Sequence, residues 1–504
     1  MDEASDHMGA ASTDESPGDS VASSIPALQE ASWVGAPTNT PPVTKRLQVP
    51  RACDRCKRLR RGCSEYRPCR RCIESGLANE CRTRVPQPRV ALSASVPAPG
   101  PQLAELLSSR VIDYCTERFF DRLHPTIPIL TLDYVASLRA TAASPDAGLE
   151  SLCVLAGMAC QVLLQTEEPE SLFQQGVIPD KNLAFGRLLL EMLISTYQNM
   201  SRRSPISLET CLVSFFLYAC EAVLSHHGRS FRYLRETTTL MILFRPEGTN
   251  DTSRLIMDRL FWVLLVSERS HAIRYRRPVT LQITKESPTL DSSDPSLVGF
   301  WSLAALFRPI DTSFIALLNR ETLMISPTPD SLNRVELEVN SALRLDPSLH
   351  DTQKANLRVT QLWLRVIIWQ LRLHLGYLVE ESHQRSLTFR YPIDVARELV
   401  LSTRDLPTSS FSVHGMGMTE KLFDVASSLV DVLARIPLTP TYQRGIEIES
   451  SPKDDLSYLR SLISRLPGGA DVYDDLLGKH IQQTLPSLEM GGIESLTMEN
   501  LESQ

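Results

Sequence analysis

The first 44 residues contain no lysine or arginine and a single aromatic, Trp33. A stretch so poor in large apolar side chains cannot offset the entropy of ordering itself, so residues 1–44 read as a disordered, acidic N-terminus. No apolar signal sequence stands at that end, which predicts a soluble, intracellular protein. The longest apolar run near the middle, Leu260 to Val266, is far too short to span a bilayer, and a membrane partner is not expected. Catalytic motifs are missing as well. There is no G-x-S-x-G and no P-loop, and Gly415 and Gly417 lack the third glycine and the preceding strand of a dinucleotide site. Spacing of Ser, His and Asp indicates no enzyme. Heptads are equally scarce: Leu103, Leu106, Leu107, Val111 and Tyr114 supply about two turns of apolar face, short of the three or four heptads of a coiled coil.

Cysteine is what the chain does concentrate. Six of its 11 cysteines fall between Cys53 and Cys81 in the pattern C-x2-C-x6-C-x5-C-x2-C-x8-C. An odd total behind an acidic start argues against a secreted disulfide framework. A tetrahedral zinc takes four ligands, so six sulfurs on one ion would leave two reactive thiols idle. Two ions need eight ligand positions, which six sulfurs fill if two of them bridge. The arithmetic favours two structural Zn2+. Charge is concentrated in the same place. Residues 45–89 carry fourteen Lys and Arg against four carboxylates, about +10, while residues 1–44 carry about −7 and the whole chain −7. Six thiolates on two zinc ions subtract only about 2, so a very small module keeps a density that attracts a phosphate backbone. The remainder of the chain, near −10, makes a poor DNA surface.

The segment RACDRCKRLRRGCSEYRPCRRCIESGLANEC resembles the Zn2Cys6 binuclear zinc cluster of fungal transcription factors. That resemblance makes Cys53 and Cys69 the bridging thiolates, with Cys56 and Cys63 completing one zinc and Cys72 and Cys81 the other. It also implies that each CxxC starts a short helix and that the first helix enters the major groove, commonly at a CGG-type, GC-rich triplet. The base-reading positions would then be Leu59 and Arg60. Leu59 departs from the usual basic residue and cannot donate to guanine, whereas Arg60 can make the bidentate contact to O6 and N7. Lys57, Arg58 and Arg61 are candidates for phosphate, Arg58 also for a base, and Arg70 and Arg71 on the second helix for backbone positioning. Gly62 stands where the family often has a basic residue. Lys45, Arg46, Arg51 and the KRLRR run double as a nuclear import signal.

From about residue 103 to 440 apolar residues recur at helical spacing in seven long windows, with no alternating strands among them. The expected fold class is mainly α: a small zinc cluster over 45–89, a Pro/Ala/Ser linker over 90–102, a large all-helical domain over 103–440 and an acidic C-terminal segment over 441–504. Pro125, Pro128, Pro205, Pro246 and Pro278 read as stops between helices. FFDRLHPTIPIL, FRYLRETTTLMILF and DRLFWVLLVSERSHAIRYRRPVTL resemble the helical regulatory domain of the fungal factors, loosely that of sugar-utilisation regulators.

Weaker candidates have plain structural readings. Glu268, Arg269, His271, Arg274, Tyr275, Arg276 and Arg277 close an apolar helix, where cations complement the dipole and a buried Arg pairs with Glu; an effector contact is the sharper alternative. His226 and His227 sit at a helix break beside Gly228. Cys153 and Cys160, a heptad apart, read as core. DVYDDLLG and the glutamates after it suit an activation segment for a coactivator and, equally, a last amphipathic helix packed on the domain. The expectation is therefore a nuclear, sequence-specific regulator of RNA polymerase II genes, an activator of a metabolic pathway or a secondary-metabolite cluster. Its partners would be double-stranded DNA, a coactivator and a second copy as a homodimer, though no zipper supports the last. The rival is a zinc-cluster interaction protein that does not itself read DNA.

Overall fold

In the computed structural model the described residues are 53, 56, 59, 63, 68–78, 81, 99–144, 148–200, 206–244, 251–289, 294–321, 328–343, 349–436 and 451–485. The chain divides into two units, Met1–Ala94 and Ser95–Gln504. In the first, Cys69 is the N-cap of α1 (Arg70–Glu74), whose one buried side chain is Cys72. The buried centre there is sulfur: Cys53, Cys56, Cys69, Cys72 and Cys81 are buried together, with Cys63 packed against them.

The second unit is helical, as its periodicity predicts; an isolated bridge between Val379 and Thr388 is the β feature among the described residues. It opens with α2 (Pro99–Leu106) and α3 (Ser109–Arg118), which runs on through a π-helical turn, Phe119–Leu123. The linker expected over 90–102 thus ends in a helix from Pro99, because a first helical turn has no use for its N–H groups and tolerates proline. Ser108 caps α3 by accepting from the Val111 amide at 3.4 Å, splitting what periodicity alone joins. Leu103, Leu107 and Val111 are buried in the core and do not form a free seam.

Next come α4 (Leu132–Ala142), α5 (Leu149–Gln165), the short α6 (Ser171–Gln174), α7 (Asn182–Met200), α8 (Leu208–Val223) and α9 (His227–Leu243). Apolar nearly all round, α5 and α8 lie in the middle, with α7 and α9 covering them. A Cβ at Gly157 of α5 would stand 2.7 Å from the Phe216 Cβ of α8, so this crossing needs glycine.

The long α10 (Asp251–Tyr275) leads to α11 (Val298–Phe307), α12 (Thr312–Leu318) and α13 (Pro329–Ser341). A second centre forms around α14 (Asp351–Leu375) and α17 (Met416–Arg435), with α15 (Tyr391–Thr403) between them and the short α16 (Ser409–Ser412) beside α14. Gly376, at φ +72°, ends α14 in the left-handed conformation. Pro125, Pro128 and Pro278 fall between helices; Pro205 and Pro246 lie outside the described residues.

Part of the segment set apart after residue 440 belongs to this unit. α18 (Pro452–Ser464) and α19 (Asp474–Thr484) pack on α15 and α17, burying Leu456, Leu459, Leu462, Ile463, Leu477 and Ile481. Arg460 is paired with Asp474 at 2.7 Å, and Tyr473 donates to Glu420 at 3.0 Å. Of the two readings of DVYDDLLG, its placement is that of the packed helix, though Val472 and Leu476 stay exposed. No single described helix is long and apolar enough to cross a membrane.

Candidate metal centre and nucleic-acid interface

Two quartets of sulfur come together: Cys53, Cys56, Cys63 and Cys69 form one, and Cys53, Cys69, Cys72 and Cys81 the other, each with all Sγ atoms within 4.8 Å of one another. They share Cys53 and Cys69. Sulfur separations are 3.9 Å for Cys53 and Cys69, 3.8 Å for Cys53 and Cys72, and 3.8 Å for Cys56 and Cys69. A tetrahedron with Zn–S bonds of about 2.3 Å has edges of about 3.8 Å, so these are the spacings that zinc requires. They are also far beyond a disulfide bond, and all eleven cysteines are free.

Backbone amides point into the cluster. The Cys53 N–H donates to Cys63 Sγ at 3.5 Å, Cys56 N–H to Cys53 Sγ at 3.4 Å and Cys69 N–H to Cys81 Sγ at 3.0 Å. Such donors stabilise thiolate, the form that binds metal. Burial alone would push the Cys53 and Cys69 thiols up, but hydrogen bonds from the Cys56 and Cys72 amides and the facing sulfurs hold both below the ordinary range. These amide donors are a part of the site that cysteine spacing does not reveal. The six-cysteine cluster fits a binuclear zinc site, and with every coordination position taken by sulfur the ions would supply folding energy rather than an open site for water.

Around the cluster, Leu59 is 45% exposed, and α1 presents Arg70 and Arg71 to solvent. The Arg70 side chain, 87% exposed, meets Glu74 one turn on at 2.8 Å. An exposed i,i+4 pair of this kind is worth about 0.3–0.5 kcal/mol, too little to withhold the guanidinium from a phosphate. Lys57, Arg58, Arg60 and Arg61 lie outside the described residues.

The family model of the fungal Zn(2)-Cys(6) binuclear cluster domain matches residues 51–90, which contain all six ligands. Residues 51–90 thus carry the fungal Zn2Cys6 binuclear cluster domain of transcription regulators. This zinc-cluster transcription factor is 28% identical to the probable sucrose utilization protein SUC1 of Candida albicans over 46% of its own length, an alignment spanning about half (48%) of that relative. It is 23% identical to the maltose fermentation regulatory protein MAL13 of Saccharomyces cerevisiae, covering 81% of this chain and 88% of that one. The respiratory transcription factor ZNF1 of the same yeast is 23% identical over 64% of this chain and 69% of its own. The likeness to the second therefore runs well past the cluster and through most of the helical unit. Like its family, this regulator is not an enzyme.

Elsewhere, the residues at the end of α10 are largely consumed by structure. Glu268 accepts from Arg235 at 2.6 Å and from the amides of Thr280 and Leu281, each at 2.8 Å. Arg269 donates to the Phe307 and Arg308 carbonyls at 2.6 and 3.0 Å, and Arg276 to the Leu318 carbonyl at 2.8 Å. His226 precedes α9 and contacts the Glu221 carboxylate at 2.6 Å, a helix-break role. His271, Arg274 and Tyr275 instead line a cavity.

Proposed function

We propose that this protein is a nuclear activator that reads DNA through its zinc cluster and controls genes for carbohydrate utilisation. The observation carrying the DNA-reading half is the pair of sulfur quartets sharing Cys53 and Cys69, set within a segment of about +10 charge. In this reading Cys53 and Cys69 bridge the two ions, Cys56 and Cys63 complete one, and Cys72 and Cys81 the other. A module so small and so poor in apolar side chains depends on the metal for its fold. The metal then fixes where the basic side chains point.

Arg60 reads guanine in a CGG-type triplet, a contact worth about 1–3 kcal/mol of discrimination. Lys57, Arg58, Arg61, Arg70 and Arg71 hold phosphate and set orientation without carrying sequence information. Leu59, exposed but unable to donate, contributes apolar contact at most, which separates this reader's site from those of relatives with a basic residue there. The relatives named for maltose fermentation and sucrose utilization favour carbohydrate genes over a secondary-metabolite cluster. Binding selection from random DNA with the native chain and with Arg60→Ala tests the reading. The native chain should enrich one GC-rich motif and the variant should lose preference at one guanine. An Arg60→Ala chain that keeps the full preference would remove the base-reading assignment. A chain starting at residue 90 should fail to accumulate in the nucleus if the basic segment also serves import.

A further inference from the structure

Leu59 stands three residues after Cys56 and four before Cys63, two sulfurs of the same quartet. At that spacing a helical side chain shares a face with its neighbours, and a leucine there would ordinarily cover the sulfurs. Leu59 does not: it is 45% exposed, and among the described residues the side chain packed against the buried cysteines is Cys63. A single exposed leucine is ordinary on most surfaces. The flanks of this one set it apart, since it lies inside Lys57, Arg58, Leu59, Arg60 and Arg61, the most basic five residues of the chain, with no carboxylate among them. Whatever those cations gather closes over the leucine as well.

Chemistry narrows what it can meet on DNA. Leucine neither donates nor accepts a hydrogen bond, so over a guanine O6, a purine N7 or an amino group it strips water from a polar group and puts nothing in its place. The same holds over phosphate, where the loss is greater because the group is charged. The major-groove edges of the four base pairs offer one apolar group, the C5-methyl of thymine, and the minor-groove edges offer none. Against that methyl, apolar surface leaves water on both sides. Preference then comes from two directions at once, a gain at thymine and a cost at every other base.

We propose that Leu59 is a specificity-determining residue that reads the C5-methyl of a thymine beside the guanine held by Arg60. The contact rests on the guanine reading proposed above for Arg60, the next residue in the chain. It makes the recognised word a mixed one, with one position read by a guanidinium fork and its neighbour by an apolar side chain. Burying one methyl group is worth about fourfold in affinity. Because the contact carries no charge, it adds nothing to the dependence of binding on salt.

Selection from random DNA with the zinc-loaded full chain supplies the site, and the Arg60→Ala selection marks its guanine. Each thymine of that site is then replaced in turn by deoxyuridine, which lacks only the methyl group, and affinity is measured by titration. At one thymine adjacent to the marked guanine, on either strand, the replacement should lower affinity about fourfold. The Leu59→Ala chain should lose that sensitivity while keeping the guanine preference, the zinc content and the salt slope. A selection with Leu59→Lys should return guanine where the native chain takes thymine. A site with no thymine beside the guanine, a native chain indifferent to every methyl, a Leu59→Ala chain as sensitive as the native one, or a Leu59→Lys chain that still selects thymine overturns the proposal and leaves the guanine reading standing. A native chain that selects no motif overturns both. The deoxyuridine titration of the native chain needs no Leu59 variant, so it decides even where Leu59→Ala fails to fold.

Discussion

Between Cys53 and Cys81 the buried side chains among the described residues are cysteines, whereas in the helical unit they are Leu, Val, Ile, Phe and Trp by the dozen. One unit is basic and too small to hold itself by apolar burial; the other is acidic and needs no metal for its core. The difference separates two energy sources within one chain. Metal coordination is local and all-or-none, while burial is spread over many contacts, each replaceable at modest cost. The comparison can be broken by showing that either source supports the other unit.

The largest effect should follow loss of a shared sulfur. Cys69→Ser removes a ligand common to both quartets, so zinc content should fall from two ions toward none. The apparent binding free energy that folds such sites, about 10–16 kcal/mol per zinc, goes with it. DNA affinity should vanish while the helical melting transition stays in place, as read by metal analysis beside circular dichroism. Cys56→Ser touches one quartet only and should leave one ion behind. A helical transition that collapsed on chelation would defeat the separation drawn above.

The next effect is confined to the other unit. Arg372 and Glu336 face each other at 2.8 Å with side chains 1% and 6% exposed, and Arg372 also donates to Asn333 Oδ1 at 2.7 Å. Arg372→Met strands a buried carboxylate and should cost about 3–5 kcal/mol in denaturant melts. The double variant Arg372→Met, Glu336→Leu should recover much of that loss, because desolvation of the pair offsets most of its attraction. Zinc content should not change in either variant.

Smaller again is the crossing of α5 and α8. Gly157→Ala places a methyl 2.7 Å from the Phe216 Cβ, and overpacking of this order costs about 1–3 kcal/mol. Adding Phe216→Leu should relieve part of the clash. A neutral Gly157→Ala would mean that the two helices part without loss, and that the centre of the unit is softer than its complete burial implies.

What could be read ahead of the structure follows the same division. The cluster was legible because its ligands are local: spacing alone predicts two half-sites, and the sulfurs then meet in quartets sharing Cys53 and Cys69. Helices α5, α8, α10 and α14 were legible through their apolar periodicity. The break at Ser108 was not, since a cap is one hydroxyl inside an otherwise continuous pattern. Nor was the return of residues 451–485 to the core. An amphipathic acidic helix has the same composition whether it waits for a coactivator or packs on α17, and only long-range partners such as Tyr473 with Glu420 distinguish the two.

The smallest expected effect on stability bears most directly on how the basic unit works. Arg70→Gln removes an exposed pair with Glu74 and should shift folding by no more than about 0.5 kcal/mol. If Arg70 holds a phosphate, the same change should lower DNA affinity about equally on every sequence and reduce the slope of log affinity against log salt by about 0.9. Selection should return the native motif unchanged, in contrast to Arg60→Ala. A variant that altered the motif would move Arg70 from positioning to base reading. One that left the salt slope intact would take it off the DNA altogether and return it to the surface pair in which it is found.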